Sequence, residues 1–172
     1  MLLFSCTQKP GADRYISDDP KAFPDTSFEH KPVASFDTTT DYVIQLRHMN
    51  EFYDVPGEYG YAAEGIDYGF KSLSFIMTNT QPNGGPPLHI HETEEAHVLH
   101  EGSIQYVIRN KIFTAKGPYI VRIPAGVPHT FINAGDKPLH LTAVFPSNHL
   151  SYQEVGRNPL VKDTTVYHKH EH

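Results

Sequence analysis

Between residues 70 and 145 the chain falls into eight short strand-like runs separated by turn residues, and that rhythm constrains its fold more than any other feature. The runs are Phe70 to Thr78, Leu88 to His91, Ala96 to His100, Ser103 to Arg109, Lys111 to Ala115, Tyr119 to Ile123, His129 to Asn133 and Leu139 to Phe145. Between them, Glu101-Gly102, Arg109-Asn110-Lys111, Ala134-Gly135-Asp136 and the Pro124 to Pro128 corner supply Gly, Asn and Pro where a reversing chain needs special dihedrals. No long helical periods alternate with the runs, so the pattern predicts an all-β protein: antiparallel strands closed into a sandwich or barrel.

At 172 residues the chain suits one domain, and its 14 Pro and 12 Gly fit many short strands joined by turns. The barrel is expected over 41–160, between a tail or arm at 1–40 and a tail at 161–172. Within that span, Tyr42 to Phe52 reads as an edge strand or a short helix, and Pro56 to Gly69 as a Gly- and Tyr-rich connection. The net charge of -6 comes without any dense Lys/Arg run, which argues against a nucleic-acid partner. No apolar run reaches the roughly 20 residues of a membrane-spanning helix, so no transmembrane segment is expected. The single cysteine, Cys6, rules out an intrachain disulfide. Leu3-Phe4-Ser5-Cys6 resembles the lipobox at which a bacterial lipoprotein receives its lipid, although only five residues precede the cysteine. Two localisations follow, a cytoplasmic protein or a membrane-anchored lipoprotein lipidated at Cys6.

The chemistry concentrates in two short segments. Side chains alternate faces along a strand, so His89 and His91 point to one side and Ile90 to the other. After the turn Glu92-Thr93-Glu94, Glu95 opens the next run and is the preferred carboxylate, with Glu94 as the alternative. Farther on, the rigid corner Pro124-Ala125-Gly126-Val127-Pro128 aims His129 inward. Three imidazoles and one carboxylate suit one divalent ion, whether Fe, Mn, Ni, Cu or Zn. Counting on from Glu95 puts His97 on the same inward face, where it either orients a ligand and moves a proton or is a packed core histidine. Ile104, Tyr106 and Ile108 share one face and Phe131 shares that of His129, so all four are expected to line a cavity. Asn133 is read as holding its turn by hydrogen bonds. His168, His170 and His172 are read as a loose terminal cluster able to bind metal adventitiously.

Together these segments resemble the two motifs of the cupin superfamily. Gly84-Gly85-Pro86-Pro87-Leu88-His89-Ile90-His91, then Glu95 and Gly102, matches the first, and Gly117, Pro124-Ala125-Gly126, His129 and Asn133 the second. The resemblance spans roughly 70–146, and only glycine spacings depart from the pattern. It implies a double-stranded β-helix, or jelly roll, with metal ligands His89, His91, Glu95 and His129, and a homodimer. It further implies an oxidoreductase of the quercetinase-like, dioxygenase type acting on a small enol or phenol, with Glu95 taking the substrate's proton. The other readings are a metal-dependent isomerase or lyase of a sugar or keto acid, and a non-catalytic small-molecule-binding cupin. For any of them, histidine ligands must be neutral, so the donor types alone predict that metal affinity falls below about pH 6.

Overall fold

The computed structural model describes residues 35–55 and 57–161. Among these, eleven strands form two sheets: β1 (Asn50–Val55), β2 (Glu58–Ala63), β3 (Ser74–Thr80), β4 (Leu88–Ile90), β5 (Glu95–Leu99), β6 (Ser103–Ile108), β7 (Lys111–Lys116), β8 (Tyr119–Ile123), β9 (His129–Asn133), β10 (Leu139–Phe145) and β11 (Gln153–Gly156). One sheet runs β1-β2-β3-β10-β5-β8 and the other β11-β4-β9-β6-β7. Every pairing between named strands is antiparallel. The fold is an all-β jelly roll, as the turn rhythm predicts.

Alternation does the positioning. In β5 the buried residues are Glu95, His97 and Leu99, and in β10 they are Leu139, Leu141, Ala143 and Phe145, each set facing the space between the sheets. At one end of that space, Leu99, Ile104, Tyr106, Phe131, Leu139 and Leu141 pack into a core with Ile108 against it. A second cluster covers the outer face of the first sheet, where Met49, Tyr61, Ala63 and Tyr68 meet Phe36, Ile44, Leu46, Phe75 and Met77. Residues ahead of the barrel therefore contribute core; the Phe36 ring meets Tyr68 edge-on at 5.3 Å.

Three expected elements differ. The Tyr42 to Phe52 run is neither an edge strand throughout nor a single helix: a 3-10 turn at Leu46–His48 precedes β1. The third strand starts at Ser74 and not Phe70, because Gly69 in the left-handed region closes a 3-10 turn at Gly65–Tyr68 and the chain needs residues 70–73 to reach the sheet. The Gly- and Tyr-rich connection hides β2, buried along its whole length. Its period of two is present, Tyr59, Tyr61 and Ala63 against Glu58, Gly60 and Ala62, but the second set does not look like a core face. Gly60 stands there because the Phe52 ring lies across it; a Cβ would come within 2.0 Å of Phe52 Cζ.

Candidate metal centre

β4 is only three residues long, and the chain leaves it with His89 and His91 both buried while Ile90 faces the other way. His89 sits opposite His129 across the β4–β9 ladder. The corner before β9 turns at Gly126, whose φ of 66° is left-handed and whose N–H donates to His91 O at 2.8 Å. The two motifs are thus fastened to each other by backbone. Glu95 enters from the start of β5 and is 4% exposed, whereas Glu92 and Glu94 lie in the exposed turn, which removes Glu94 as the alternative. His89, His91, Glu95 and His129 each offer one donor atom, all within 4.8 Å of one another. Donors about 2.1 Å from a shared ion stand roughly 3 to 4.2 Å apart, so a small inward adjustment suffices.

Backbone carbonyls orient the imidazoles. A carbonyl can only accept, so His89 Nδ1–H donates to Pro87 O at 2.7 Å, His129 Nδ1–H to Val127 O at 2.9 Å, and His91 Nδ1–H to Ser151 O. In the neutral ring this leaves the Nε2 lone pair of each directed at the cluster, the tautomer a metal requires. Glu95 is held on its far side, where His97 Nε2–H donates to Oε1 at 2.8 Å. Behind His97, its Nδ1 lies 3.4 Å from Tyr106 Oη, which is 3.1 Å from Tyr119 Oη. Asn133 does what its motif position predicts: Nδ2 donates to Thr80 O and Lys137 O, and Oδ1 accepts Gly135 N–H.

A family model described as "Cupin domain" matches residues 76–145. This part of the barrel matches the cupin domain. Solved structures similar to it include a point mutant of Bacillus subtilis oxalate decarboxylase, with 20% identity and a TM-score of 0.54 over 58% of this chain and 28% of that one. The same enzyme at pH 4.6 gives 19% identity and a TM-score of 0.55 over 59% and 28%. A structure concerned with its Mn(II) centres gives 20% and 0.53 over 58% and 28%. This chain thus spans less than a third of those chains, and the likeness is one of fold. No curated protein matches it.

The donor set fits a divalent cation on an observation of its own. Glu95 Oε2 and His129 Nε2 are both buried without a hydrogen-bond partner, although they lie 2.9 Å apart. With His129 Nδ1 carrying the proton, both atoms are lone-pair donors facing each other, an arrangement that a cation between them resolves. Electrostatics agree. Burial, and then neighbouring His129, push His89 down to about 3, and burial pushes His91 below the usual histidine value, so both rings are neutral near pH 7. Burial alone would raise Glu95, but His97 and His129 beside it hold its carboxyl well below the usual range.

The centre opens on a cavity of about 580 Å³. Its walls are mostly apolar, from Phe52, Ala62, Ile76, Phe131, Leu141 and Ala143, with Asn50, Glu58 and Thr78 as polar points and Leu150 and Tyr152 near His89 and His91. Of the residues expected to line it, Phe131 does and His97 joins it, whereas Ile104, Tyr106 and Ile108 sit in the packed cluster instead. Sequence reasoning missed the contributions of β1, β2 and the segment before β11. The period-two pattern of β2 was a usable signal for Glu58 and Ala62, but Ser151 and Tyr152 carry none. Cys6, His168, His170 and His172 lie outside the described residues. Among the described residues, no helix is long and apolar enough to cross a membrane.

Proposed function

We propose that this cupin holds one divalent metal ion through His89, His91, Glu95 and His129 and is a dioxygenase-like oxidoreductase acting on a small enol or phenol. The observation that carries this reading is four inward-facing donors opening on a largely apolar cavity whose lining, among the described residues, includes no Lys or Arg. Among the described residues, a compact dianion such as oxalate would meet the acidic side chains of Glu58 and Glu64 there and no Lys or Arg, whereas an aromatic or enolic molecule finds matching walls.

When bound, a divalent ion supplies Lewis acidity and open coordination positions for a substrate oxygen and for dioxygen. The protein's own residues do the rest. The Nδ1–H bonds to backbone keep three imidazoles in one tautomer, so the donors are preorganised before any ligand arrives. Glu95 Oε2, on the ligand side of the carboxylate, is the atom placed to accept a substrate hydroxyl proton. His97 stays on Oε1 and keeps the carboxylate from rotating. Apolar walls exclude water, which strengthens each polar interaction inside. The same reading expects a homodimer, checked by size exclusion with light scattering.

The test is elemental mass spectrometry on the tag-free chain beside His91→Ala and Glu95→Ala, followed by oxygen uptake with a panel of phenols and enols. Near-stoichiometric metal lost in both variants, with oxygen consumed, supports the proposal. Metal-dependent conversion without oxygen uptake would make the protein an isomerase or lyase, and tight binding without conversion in air would make it a binding cupin.

A further inference from the structure

The match to the cupin domain stops at residue 145, yet the carbonyl to which His91 Nδ1–H donates belongs to Ser151. The strap from Ser147 to Tyr152 crosses the mouth of the centre before β11 joins β4. It is tethered at successive points to the turn that follows β2 and to the start of β3. Ser74 Oγ–H donates to Ser147 O at 2.7 Å, Ile66 N–H to Asn148 O at 3.0 Å, and Leu150 N–H to Glu64 Oε1 at 2.9 Å. Past the last tether, Ser151 aims its carbonyl at His91 Nδ1 and accepts Glu92 N–H on Oγ at 2.8 Å. The Tyr152 ring then stacks on His89, with centroids 4.8 Å apart and 26° between planes.

We infer that Glu64 is a positioning residue for the metal centre: by anchoring Leu150 N–H it sets the Ser151 carbonyl that holds His91 with its Nε2 lone pair toward the other donors. This rests on the metal-binding reading above. Two arguments single out Glu64. Of the tethers that hold the strap to the β2–β3 side, it is the one nearest Ser151, and a carboxylate accepting a backbone N–H makes one of the stronger hydrogen bonds available. Its consequence reaches the imidazole by a discrete choice: with the carbonyl in place Nδ1 must carry the proton, and with it displaced the ring is free to protonate at Nε2, the atom the metal needs. The remaining contact of Glu64 Oε1, His149 Nδ1 at 3.3 Å, is on the exposed rim and takes no part.

The experiment compares the full chain with Glu64→Ala and Glu64→Gln by two readouts. Long-range ¹⁵N–¹H NMR of the metal-free protein at pH 8 reports the His91 tautomer, and competition with a chromophoric chelator reports Co(II) affinity. The wild-type chain should show His91 protonated at Nδ1. Glu64→Ala should mix the tautomers and weaken Co(II) binding about ten- to a hundredfold, the range seen when a partner behind a ligand is lost. Glu64→Gln, whose amide oxygen still accepts Leu150 N–H, should restore both. An unchanged His91 tautomer in Glu64→Ala overturns the inference whatever the metal data say. A wild-type chain that binds no Co(II) overturns the metal reading alone, because the tautomer comparison needs no metal. Should Glu64→Ala fail to fold, Glu64→Asp keeps the charge, withdraws the oxygen by one methylene, and is judged by the same NMR readout.

Discussion

The two ends of the barrel interior are built from the same strands and do opposite things. In β5, Leu99 belongs to the packed core while Glu95 and His97, four and two residues earlier on the same face, form the polar centre. In β10, Leu139 belongs to the core, Leu141 lies at the boundary between core and cavity, and Ala143 lines the cavity. One end gains stability by filling space. The other leaves space open and keeps four donor atoms facing each other, at a local cost in stability. Stability and chemistry are thus separated along the strands and not between domains, and perturbations aimed at each end should report separately.

Acid should expose the polar end most strongly. His89 is held near 3 in the fold against about 6.5 in an open chain, so the unfolded protein binds more protons between these values. The contribution of His89 is complete above about pH 6.5 and is lost as pH falls through 3, up to roughly 5 kcal/mol by the pKa difference. Denaturant midpoints of the metal-free chain should therefore fall steadily from pH 7 to 4, and a His89→Gln variant should fall less. Equal slopes would remove His89 as the cause. The same burial moves the expected onset of acid metal loss below the value of about pH 6 that donor types alone suggest, because His89 and His91 stay neutral further into acid.

The packed end is tested by Leu99→Ala. Leu99 is 1% exposed, and its truncation should cost about 2 to 5 kcal/mol in chemical denaturation with metal stoichiometry unchanged. A comparable loss of metal would show that the two ends are not independent.

His97→Ala lies at the boundary and should behave in the reverse sense. Losing the donor at Glu95 Oε1 should weaken metal binding about ten- to a hundredfold while the fold survives, read by chelator competition beside a melting curve. Undiminished affinity would return His97 to a packing role.

The smallest effect is expected at Ile76→Ala. The residue is half-buried on the cavity wall, and removing it enlarges space that already exists, so stability should change by less than about 1 kcal/mol. The affinity for phenolic ligands should fall in isothermal titration. A loss as large as that of Leu99→Ala would mean that the cavity is not open as described.

This division also marks where the sequence was readable. Tyr119–Ile123, His129–Asn133 and Leu139–Phe145 match their expected strands at both ends, because alternation and flanking turns are local properties. The four donors were readable for the same reason, as strand parity and one rigid corner decide where His89, His91, Glu95 and His129 point. Ile104 and Tyr106 show the limit. Parity put them inward, and inward they are, but facing a core and facing a cavity look alike in one strand.

What the sequence by itself determined was therefore the all-β architecture, the strand rhythm and which four side chains come together inside, all of which follow from side-chain parity and turn stereochemistry over a few residues. What only the tertiary structure decided was which end of the interior stays open, that the Gly- and Tyr-rich connection contains β2, and that Ser151 meets His91 while Glu64 holds the strap beside it. These depend on segments far apart in the chain meeting across the barrel, and such meetings are set by the packing of the whole, which no local pattern records.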